Sequence, residues 1–541
     1  MAAAVFEQSR LSRHKKIVEE IKNVSRGKLF EVVDDTPVAS RSCRNSRCRD
    51  FALRIYQSNS NLQSHGLCPR LLKEGQSLAF QHPNLIKLYG IDIVFSCNNF
   101  VYERCQRAEL LVLSELASGN LSHWMQSHHR LKAAPRDVIK LAFDVLQGLD
   151  YLHRHLLVHR RLTPQNVLMV ELPVSENKQT HFEAKLGDFQ DMSLYYTGAK
   201  ADEPLPLQSN QARYTAPELL EGYEYYEPSA DMWSFGIVLF ELVFGHGVTP
   251  FYDPDEGSGW FTTPEKVQVK KNVYEWLGSP EPDWRLKYTA AHSIDTQIEP
   301  HRGRSIKEVV MTSHAQSSRR KKRGDQNQQR HLGLGPTVFK LTLELIDQCL
   351  RIDPEQRITT ADALRHPLFL HFSLTPVRGK VEFMPKPPPL PKGTFREVRR
   401  DLIRTTVRDL EGGYMQFYPA LVALNLFDRS HVFFTQDIFE NSVDGAVDRP
   451  LLYNLFCACY LMGLKLVVEW PCPAPDLFKS LKGLVCGATE DQRLSILFLE
   501  RTIAKRLEFK FYIDEIIALP MDLEIFHRAL NKPLFPEKIM K

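Results

Sequence analysis

The chain contains 541 residues, a length that suits about two to four domains. Hydrophobic residues make up 43% and charged residues 25%, as in ordinary globular proteins, and the net charge of +4 is too small to indicate a nucleic-acid or membrane partner. The ten cysteines include no pair with the spacing of a zinc site. Their scattered positions fit a reducing compartment better than a secreted disulfide framework.

The N-terminus does not indicate a secretory signal, because charged residues follow a short apolar start. The longest apolar stretch, at 451–468, is interrupted by Asn454 and Lys465 and is too short to span a membrane. We therefore expect an intracellular, cytoplasmic protein. The basic run at 319–323 adds the nucleus as an alternative location, although a solvated loop explains that run equally well.

The first part of the chain predicts strands followed by helices. Residues 1–20 form a short polar lead-in, and residues 21–116 alternate short apolar runs that indicate strands, with one helical pattern near 71–80. From 122 to 371 the apolar spacing is helical. This order predicts an α+β unit with a strand-rich lobe and a helical lobe.

Three further segments follow from composition. Residues 302–335 are polar and basic, which predicts a disordered surface insert. Residues 373–393 contain the proline-rich run 385–391, which favours an extended linker, with a ligand for an SH3 domain as the alternative. Residues 394–541 return to dense apolar periodicity without strand patterns, so we expect a separate all-α domain.

The segment from Val158 to Val167 resembles the catalytic loop of protein kinases, H-R-D-L-x-x-x-N. The spacing from His159 to Asn166 is preserved, but Arg161 stands where the family has its aspartate. In a working kinase that aspartate accepts the proton of the substrate hydroxyl. A guanidinium stays protonated and cannot act as a base. The resemblance therefore implies a kinase fold without an intact catalytic base.

Three motifs of the large lobe extend this resemblance over residues 21–372. Glu218 ends a sequence similar to A-P-E, and Asp231 begins one similar to D-x-W-S-x-G. Arg357 stands where the family places the arginine that pairs with the A-P-E glutamate. The resemblance implies structural roles for these residues in a bilobal fold. The segment 274–284 is similar to that of cyclin-dependent kinases, which suggests this subgroup.

The sequence Asp188-Phe189-Gln190 resembles D-F-G with its glycine lost. In the family, the residues that match Asn166 and Asp188 hold magnesium, and both are retained here. The residue that matches His159 packs against the phenylalanine that matches Phe189. The resemblance therefore implies a structural role for this histidine instead of acid–base catalysis.

The positions that would bind ATP are degenerate. Of the three glycines of the family's phosphate loop only Gly27 remains, and Arg54 replaces the lysine that contacts the phosphates. The resemblance makes Glu74 the ion-pair partner of Arg54 and places the hinge backbone at Glu115 and Ala117. It thus implies either weak binding of ATP and magnesium or no cofactor at all.

The C-terminal domain resembles a cyclin box. Its sequence around 423–429 is similar to the helix a-x-x-L-x-D-R, and two later helices match at Lys465 and Glu500. In cyclins these two positions form the surface that binds the regulatory helix of a kinase. A helical bundle of another kind is the alternative, because apolar residues at helical spacing occur in any bundle.

These resemblances imply a pseudokinase that acts as a regulator or scaffold with a tethered cyclin-like domain. In this interpretation Arg161 or Arg54 neutralises Asp188 in place of magnesium. One alternative is an atypical active serine/threonine kinase in which Lys22 or Lys28 reaches the phosphates of ATP. Another is an interaction scaffold that binds no nucleotide.

The expected partners are other proteins, including a kinase or a kinase substrate bound through the cyclin-like domain. The surface that contains Lys465 and Glu500 predicts docking near Glu74 of the same chain, with docking on a separate kinase as the alternative. Tethering by the linker 373–393 would raise the effective concentration for docking within the chain.

Overall fold

A computed structural model describes most of both predicted domains. Most of the predicted basic insert and all of the proline run 385–391 lie outside the residues that it describes. Among the helices of the described part, none is long and apolar enough for a membrane span. The described residues are 2–13, 15–24, 27–34, 51–57, 67, 69–95, 108–128, 134–172, 181–194, 212–221, 223, 226–252, 265–278, 303–306, 334–381, 394–411, 417–434, 449–467 and 490–509.

Five antiparallel strands form the small lobe, in agreement with the apolar runs predicted between 21 and 116. They lie in the order β1-β2-β3-β6-β5. Val32, Leu53 and Leu111, on three neighbouring strands, are fully buried in one hydrophobic cluster. Alternate residues of each strand face the same side of the sheet, so one face of the sheet supplies this cluster. The first six strands of the chain are β1 (Lys15–Val24), β2 (Gly27–Asp34), β3 (Phe51–Gln57), β4 (Phe80–Gln81), β5 (Leu88–Phe95) and β6 (Ala108–Glu115).

The N-terminal residues are more ordered than the polar lead-in predicted for 1–20. Helix α1 (Ala2–Glu7) buries Val5 and Phe6 in the hydrophobic cluster of the sheet. Strand β1 already begins at Lys15. The prediction missed this segment because two helical turns are too short to show an apolar period.

Helix α2 (Pro69–Gln76) lies between β3 and β4 in the chain, where the sequence predicted one helix among strands. Pro69 suits its first turn, because a helix leaves the N–H of that position without a partner. All residues from Leu71 to Gln76 are buried. Helix α2 contacts both the turn Phe189–Asp191 and the C-terminal helices, so it lies where three parts of the molecule meet.

Helices dominate the large lobe, as the periodicity from 122 to 371 predicted. At its centre, residues 235–243 of one helix are all buried. Short antiparallel strand pairs, β7 with β9, β9 with β10 and β8 with β11, lie beside the catalytic-loop segment. Its strands are β7 (Gly119–Asn120), β8 (Leu157–Val158), β9 (Val167–Glu171), β10 (Phe182–Leu186) and β11 (Ser193–Leu194). Its helices are α3 (Leu121–His128), α4 (Pro135–Arg154), α5 (Pro217–Leu220), α6 (Pro228–Phe244), α7 (Glu265–Leu277), α8 (Pro336–Cys349), α9 (Thr360–Ala363) and α10 (Pro367–His371).

Two buried acids of the large lobe have the partners that the resemblance implied for structural residues. The carboxylate of Glu218 accepts two hydrogen bonds of 2.6 Å from Arg357. Asp231 accepts the backbone N–H groups of His159 and Arg160 at 2.8 and 2.9 Å. Although burial opposes it, the hydrogen bond and charge of His153, followed by the charge and backbone N–H of His159, hold the pKa of Asp231 below its usual value.

The chain after the large lobe returns to the small lobe as a strap, residues 374–381. Its strand β12 (Lys380–Val381) pairs with β4, so the first part of the predicted linker is bound to the small lobe. The backbone of Val377 is held by the side chains of Gln147 and His82, at 2.7 and 3.2 Å. The Tyr151 hydroxyl donates to the Lys380 carbonyl at 2.9 Å. The strap therefore contacts both lobes of the kinase-like domain.

Four helices form the C-terminal part of the chain, in agreement with the all-α prediction for the described residues of 394–541. Residues 455–466 of its third helix are all buried, so this helix is the centre of the bundle. The bundle shares one continuous hydrophobic core with helix α2 and the large lobe. Its helices are α11 (Thr394–Glu411), α12 (Phe417–Ser430), α13 (Arg449–Val467) and α14 (Glu490–Arg506).

Replacing Gly379 by alanine should destabilise the protein by disturbing the strap. A Cβ atom there would lie 2.6 Å from a ring carbon of Tyr151 and 2.7 Å from one of His82. Overpacking of this kind costs about 1–3 kcal/mol. Gly335→Ala is the matched control, since no atom lies within 4 Å of a Cβ there. Denaturant unfolding would contradict the prediction if the two variants lost equal stability.

Candidate functional site

The catalytic-loop segment is held by hydrogen bonds that use both ring nitrogens of His159. Its Nε2 donates to the Gly187 carbonyl at 3.0 Å, and its Nδ1 accepts the backbone N–H of Arg161 at 3.3 Å. The ring lies 6.0 Å from that of Phe189 in an edge-on arrangement. The contact that the resemblance implied is therefore present, and neither ring nitrogen is available as a base.

Arg161 lies between two carboxylates at the bottom of the cleft. Its Nη1 is 2.7 Å from Asp191 Oδ2 and 3.6 Å from Asp188 Oδ2. The Arg161 and Asp191 side chains are only 10% and 4% exposed, so the short contact is a buried, charge-assisted hydrogen bond. The structure thus brings together Arg161 and Asp188, as the sequence led us to expect.

Asn166 and Asp188, the two candidate magnesium ligands, are both close to Arg161. The Asn166 amide donates to the Arg161 carbonyl at 2.8 Å. Asp188 has a left-handed backbone with φ of 64°, a conformation uncommon for residues other than glycine. A divalent cation on Asp188 would be repelled by the Arg161 guanidinium at 3.6 Å. As arranged, these residues do not fit a magnesium ion.

Arg54 contacts helix α2 and lies near enough to Asp188 for that carboxylate to help raise the pKa of the guanidinium. Its Nη1 lies 3.6 Å from Glu74 Oε1, so the structure brings the predicted pair together. The same nitrogen donates to the Tyr56 hydroxyl at 2.6 Å. Burial raises the pKa of Glu74 to about 7, and Arg54 opposes this shift only in part.

Tyr56 and Gln190 join strand β3 to the D-F-Q turn, and sequence reasoning missed both. The Gln190 amide donates to the Tyr56 hydroxyl at 2.7 Å, so one phenol oxygen receives hydrogen bonds from Gln190 and Arg54. Gln190 occupies the position where the family has glycine, and Tyr56 lies two residues after Arg54 on the same side of the strand. The lost glycine was visible in the sequence, but its new partner was not.

The remaining candidate nucleotide-binding positions are Gly27, Glu115 and Ala117. Gly27 begins strand β2 opposite Val24. The backbone N–H of Glu115 donates to the Lys87 carbonyl at 2.9 Å, while its carboxylate pairs with Lys185 at 2.9 and 3.0 Å. Ala117 lies half-buried just after β6.

Of the two lysines that the active-kinase alternative needs, Lys28 has a described side chain. It lies 3.4 Å from Glu20 on the exposed face of the small-lobe hairpin. The side chain of Lys22 lies outside the described residues. The exposed position of Lys28 therefore does not support its proposed role at the phosphates of ATP.

Lys465 and Glu500 form a buried ion pair that contacts the chain just before helix α2. The Lys465 ammonium lies 2.6 Å from Glu500 Oε1, and their side chains are 1% and 0% exposed. Glu500 Oε2 accepts the backbone N–H of Leu67 at 3.1 Å. Of the two residues that matched the cyclin surface, Glu500 binds the segment that leads into α2 of the same chain, and Lys465 pairs with Glu500.

The N-terminal segment forms a second link between the small lobe and the C-terminal helices. Arg10 donates to the carbonyl of Ile91 in β5 at 2.9 Å and to the carbonyl of Lys505 in α14 at 3.4 Å. Its guanidinium also lies 3.8 Å from Glu508. The sequence carried no signal for this contact, because a single arginine near a chain end is usually solvated.

The match to a family model agrees with the kinase resemblance. Residues 38–369 match the protein kinase domain family. The chain is 25% identical over 350 residues to the serine/threonine-protein kinase SSN3 of Phaeosphaeria nodorum, which covers 60% of this chain and 70% of that protein. A solved MAP kinase, LmaMPK10 from Leishmania major, aligns with 66% of this chain and 84% of its own at 21% identity and a TM-score of 0.46.

Lys465→Met should detach the C-terminal helices from α2. It would leave the Glu500 carboxylate buried without its cation, and breaking a buried ion pair on one side costs about 3–5 kcal/mol. We expect the Leu67 amide and α2 to lose protection in hydrogen exchange. Arg404→Met is the control, because its pair with Asp401 is exposed. Unchanged protection at Leu67 in the Lys465 variant would contradict this interpretation.

Proposed function

The chain belongs to the protein kinase family, and we propose that it is a pseudokinase, a regulator or scaffold with very weak or absent phosphotransfer. The observation that carries this proposal is Arg161 in the position of the catalytic base, 2.7 Å from Asp191 and 3.6 Å from Asp188. A guanidinium there supplies positive charge where the reaction needs a proton acceptor.

The cost of this replacement is large by the standards of the family's chemistry. Loss of a general base alone lowers a rate by about 10²- to 10⁴-fold. Thr163, where serine/threonine kinases carry a lysine, is buried and adds no positive charge near a transferred phosphoryl group. The catalytic loop thus lacks both of its usual ionic groups.

Charge compensation within the cleft further supports a silent site. Protein kinases generally use ATP with magnesium, which bridges and neutralises the phosphates. Here Arg161 already lies beside Asp188, and Arg54 is engaged by Glu74 and Tyr56. Arg161 would have to move away from Asp188 to admit a nucleotide–metal complex, so we propose no chemical step through one.

The C-terminal helices, at 394–541, are proposed to be a cyclin-like regulatory domain that binds its own kinase-like domain, at 21–372. Glu500, paired with Lys465, accepts the backbone N–H of Leu67 before helix α2, and these two residues are the ones that the cyclin resemblance implied for the docking surface. Because this surface is buried within the chain, docking in cis is favoured over capture of a separate kinase. Other protein partners would bind elsewhere, and the cytoplasmic or nuclear location stays a prediction.

The second candidate function is an atypical serine/threonine protein kinase. The observation that favours it is the contact of 3.6 Å between Arg54 and Glu74, which keeps helix α2 against the cleft. Asn166 and Asp188 are also retained. The relative SSN3 is named as a serine/threonine-protein kinase. This candidate requires that Arg161 leave Asp188 when a nucleotide binds.

Thermal unfolding with ATP, with and without magnesium, separates the two candidates. We expect no rise in Tm with ATP. A ligand that bound the folded state would raise Tm by mass action, so a rise would indicate binding.

Phosphotransfer to protein substrates should be at least about 10²-fold below that of an ordinary kinase. Arg161→Asp alone should not restore it while Arg54 remains. Substrate phosphorylation at ordinary rates that Asp188→Ala abolishes would overturn the proposal.

Cleavage of the chain within 382–393 tests docking in cis. A protease site inserted there leaves the strap and helix α11 intact. We expect the two fragments to stay associated at micromolar concentration in size-exclusion chromatography, and to separate when Lys465→Met is present. Separation of the unsubstituted fragments, with capture of another kinase by the C-terminal one, would favour docking in trans.

A further inference from the structure

Asp191 is a buried carboxylate that lies between arginines from two different elements. Its Oδ1 is 3.1 Å from Arg70 Nε on helix α2, and its Oδ2 is 2.7 Å from Arg161 Nη1 in the catalytic loop. The Asp191 side chain is 4% exposed. Asp191 thus links helix α2 to the catalytic loop, and the charges of Lys73 and Arg160 also interact with its carboxylate.

A cavity opens beside this carboxylate and is lined by a third arginine. The guanidinium of Arg160 lies 3.7 Å above the ring of Tyr226. The second acid in the cavity wall, Asp231, is engaged by two backbone N–H groups and His153. Asp191 is therefore the acid of this wall that is shared between arginine side chains. The cavity lining includes Arg70, Arg160, Arg161, Asp191, Thr215 and Tyr226.

We propose that Asp191 is an internal counter-ion that fixes helix α2, taking the place of a bound anion in this arginine-lined cavity. Arg70 and Glu74 lie four residues apart on α2, so they share one side of the helix. Holding Arg70 thereby sets the position of Glu74 opposite Arg54. Asp191 is a positioning residue that acts through Arg70, and it does not need to touch a ligand.

This role goes beyond the proposed pseudokinase function and is independent of it. The ion pairs of Asp191 order α2 whether or not phosphotransfer remains. The helix is short, and its described contacts include Arg70 with Asp191, Glu74 with Arg54 and, just before its start, the Leu67 amide with Glu500. Loss of the first of these contacts should therefore loosen α2 while the contact of Glu500 persists.

The test is chemical rescue of the full-length Asp191→Ala variant by inorganic phosphate. Without its carboxylate, Arg70 and Arg161 would face the cavity, and we expect hydrogen exchange of residues 69–76 to accelerate at least about tenfold, since removing one partner of a buried pair is strongly destabilising. Millimolar phosphate should restore protection and raise Tm, whereas chloride at equal ionic strength should not. Asp191→Glu should keep protection without phosphate.

Two comparisons make the result decisive. Asp401→Ala removes an exposed carboxylate paired with Arg404 and should respond to neither anion. Asp191→Asn keeps the side-chain shape and should also gain phosphate dependence, which covers the case that the alanine variant does not fold. Equal rescue by phosphate and chloride would overturn the proposal, as would unchanged exchange of α2 in the asparagine variant or equal stabilisation of the unsubstituted protein by phosphate.

Discussion

The position of Arg161 determines what the cleft can do. A guanidinium cannot be left unpaired in a buried site, and here it is satisfied by Asp191 at 2.7 Å and approaches Asp188 at 3.6 Å. The pairing neutralises carboxylate charge that would otherwise attract a cation. Arg161 thus stands where the family has its catalytic aspartate and also contacts the neighbouring carboxylates of Asp191 and Asp188.

Helix α2 transmits this arrangement to the rest of the molecule. The large lobe holds it through Asp191, the small-lobe sheet through Arg54, and the C-terminal helices through Glu500. Burial of the whole segment from Leu71 to Gln76 makes each of these contacts costly to break. The described contacts therefore hold this helix from three sides.

The hydrogen bonds around α2 include partners that the individual sequence motifs did not predict. Gln190 replaces the glycine of the D-F-G motif, and its amide donates to the Tyr56 hydroxyl. This hydrogen bond joins the D-F-Q turn to strand β3. Arg54 looks like a conservative replacement of lysine, yet its planar fork contacts Glu74 and Tyr56 together. The residues at these two motif positions therefore belong to one connected set of polar contacts.

The sequence by itself determined the two-lobed α+β order, the helical C-terminal part and the arginine at position 161 of the catalytic-loop motif. Such features depend on local periodicity and on residue identity at a motif position, which a linear sequence contains. The tertiary structure decided the partners: Asp191 with Arg70, the strap with β4, and Glu500 with the Leu67 amide 433 positions away. These contacts join side chains to acids or backbone groups distant in the chain, and a backbone N–H carries no signature in the sequence. Residues 1–20 were misjudged for a related reason, since the burial of Phe6 depends on a sheet formed by later residues.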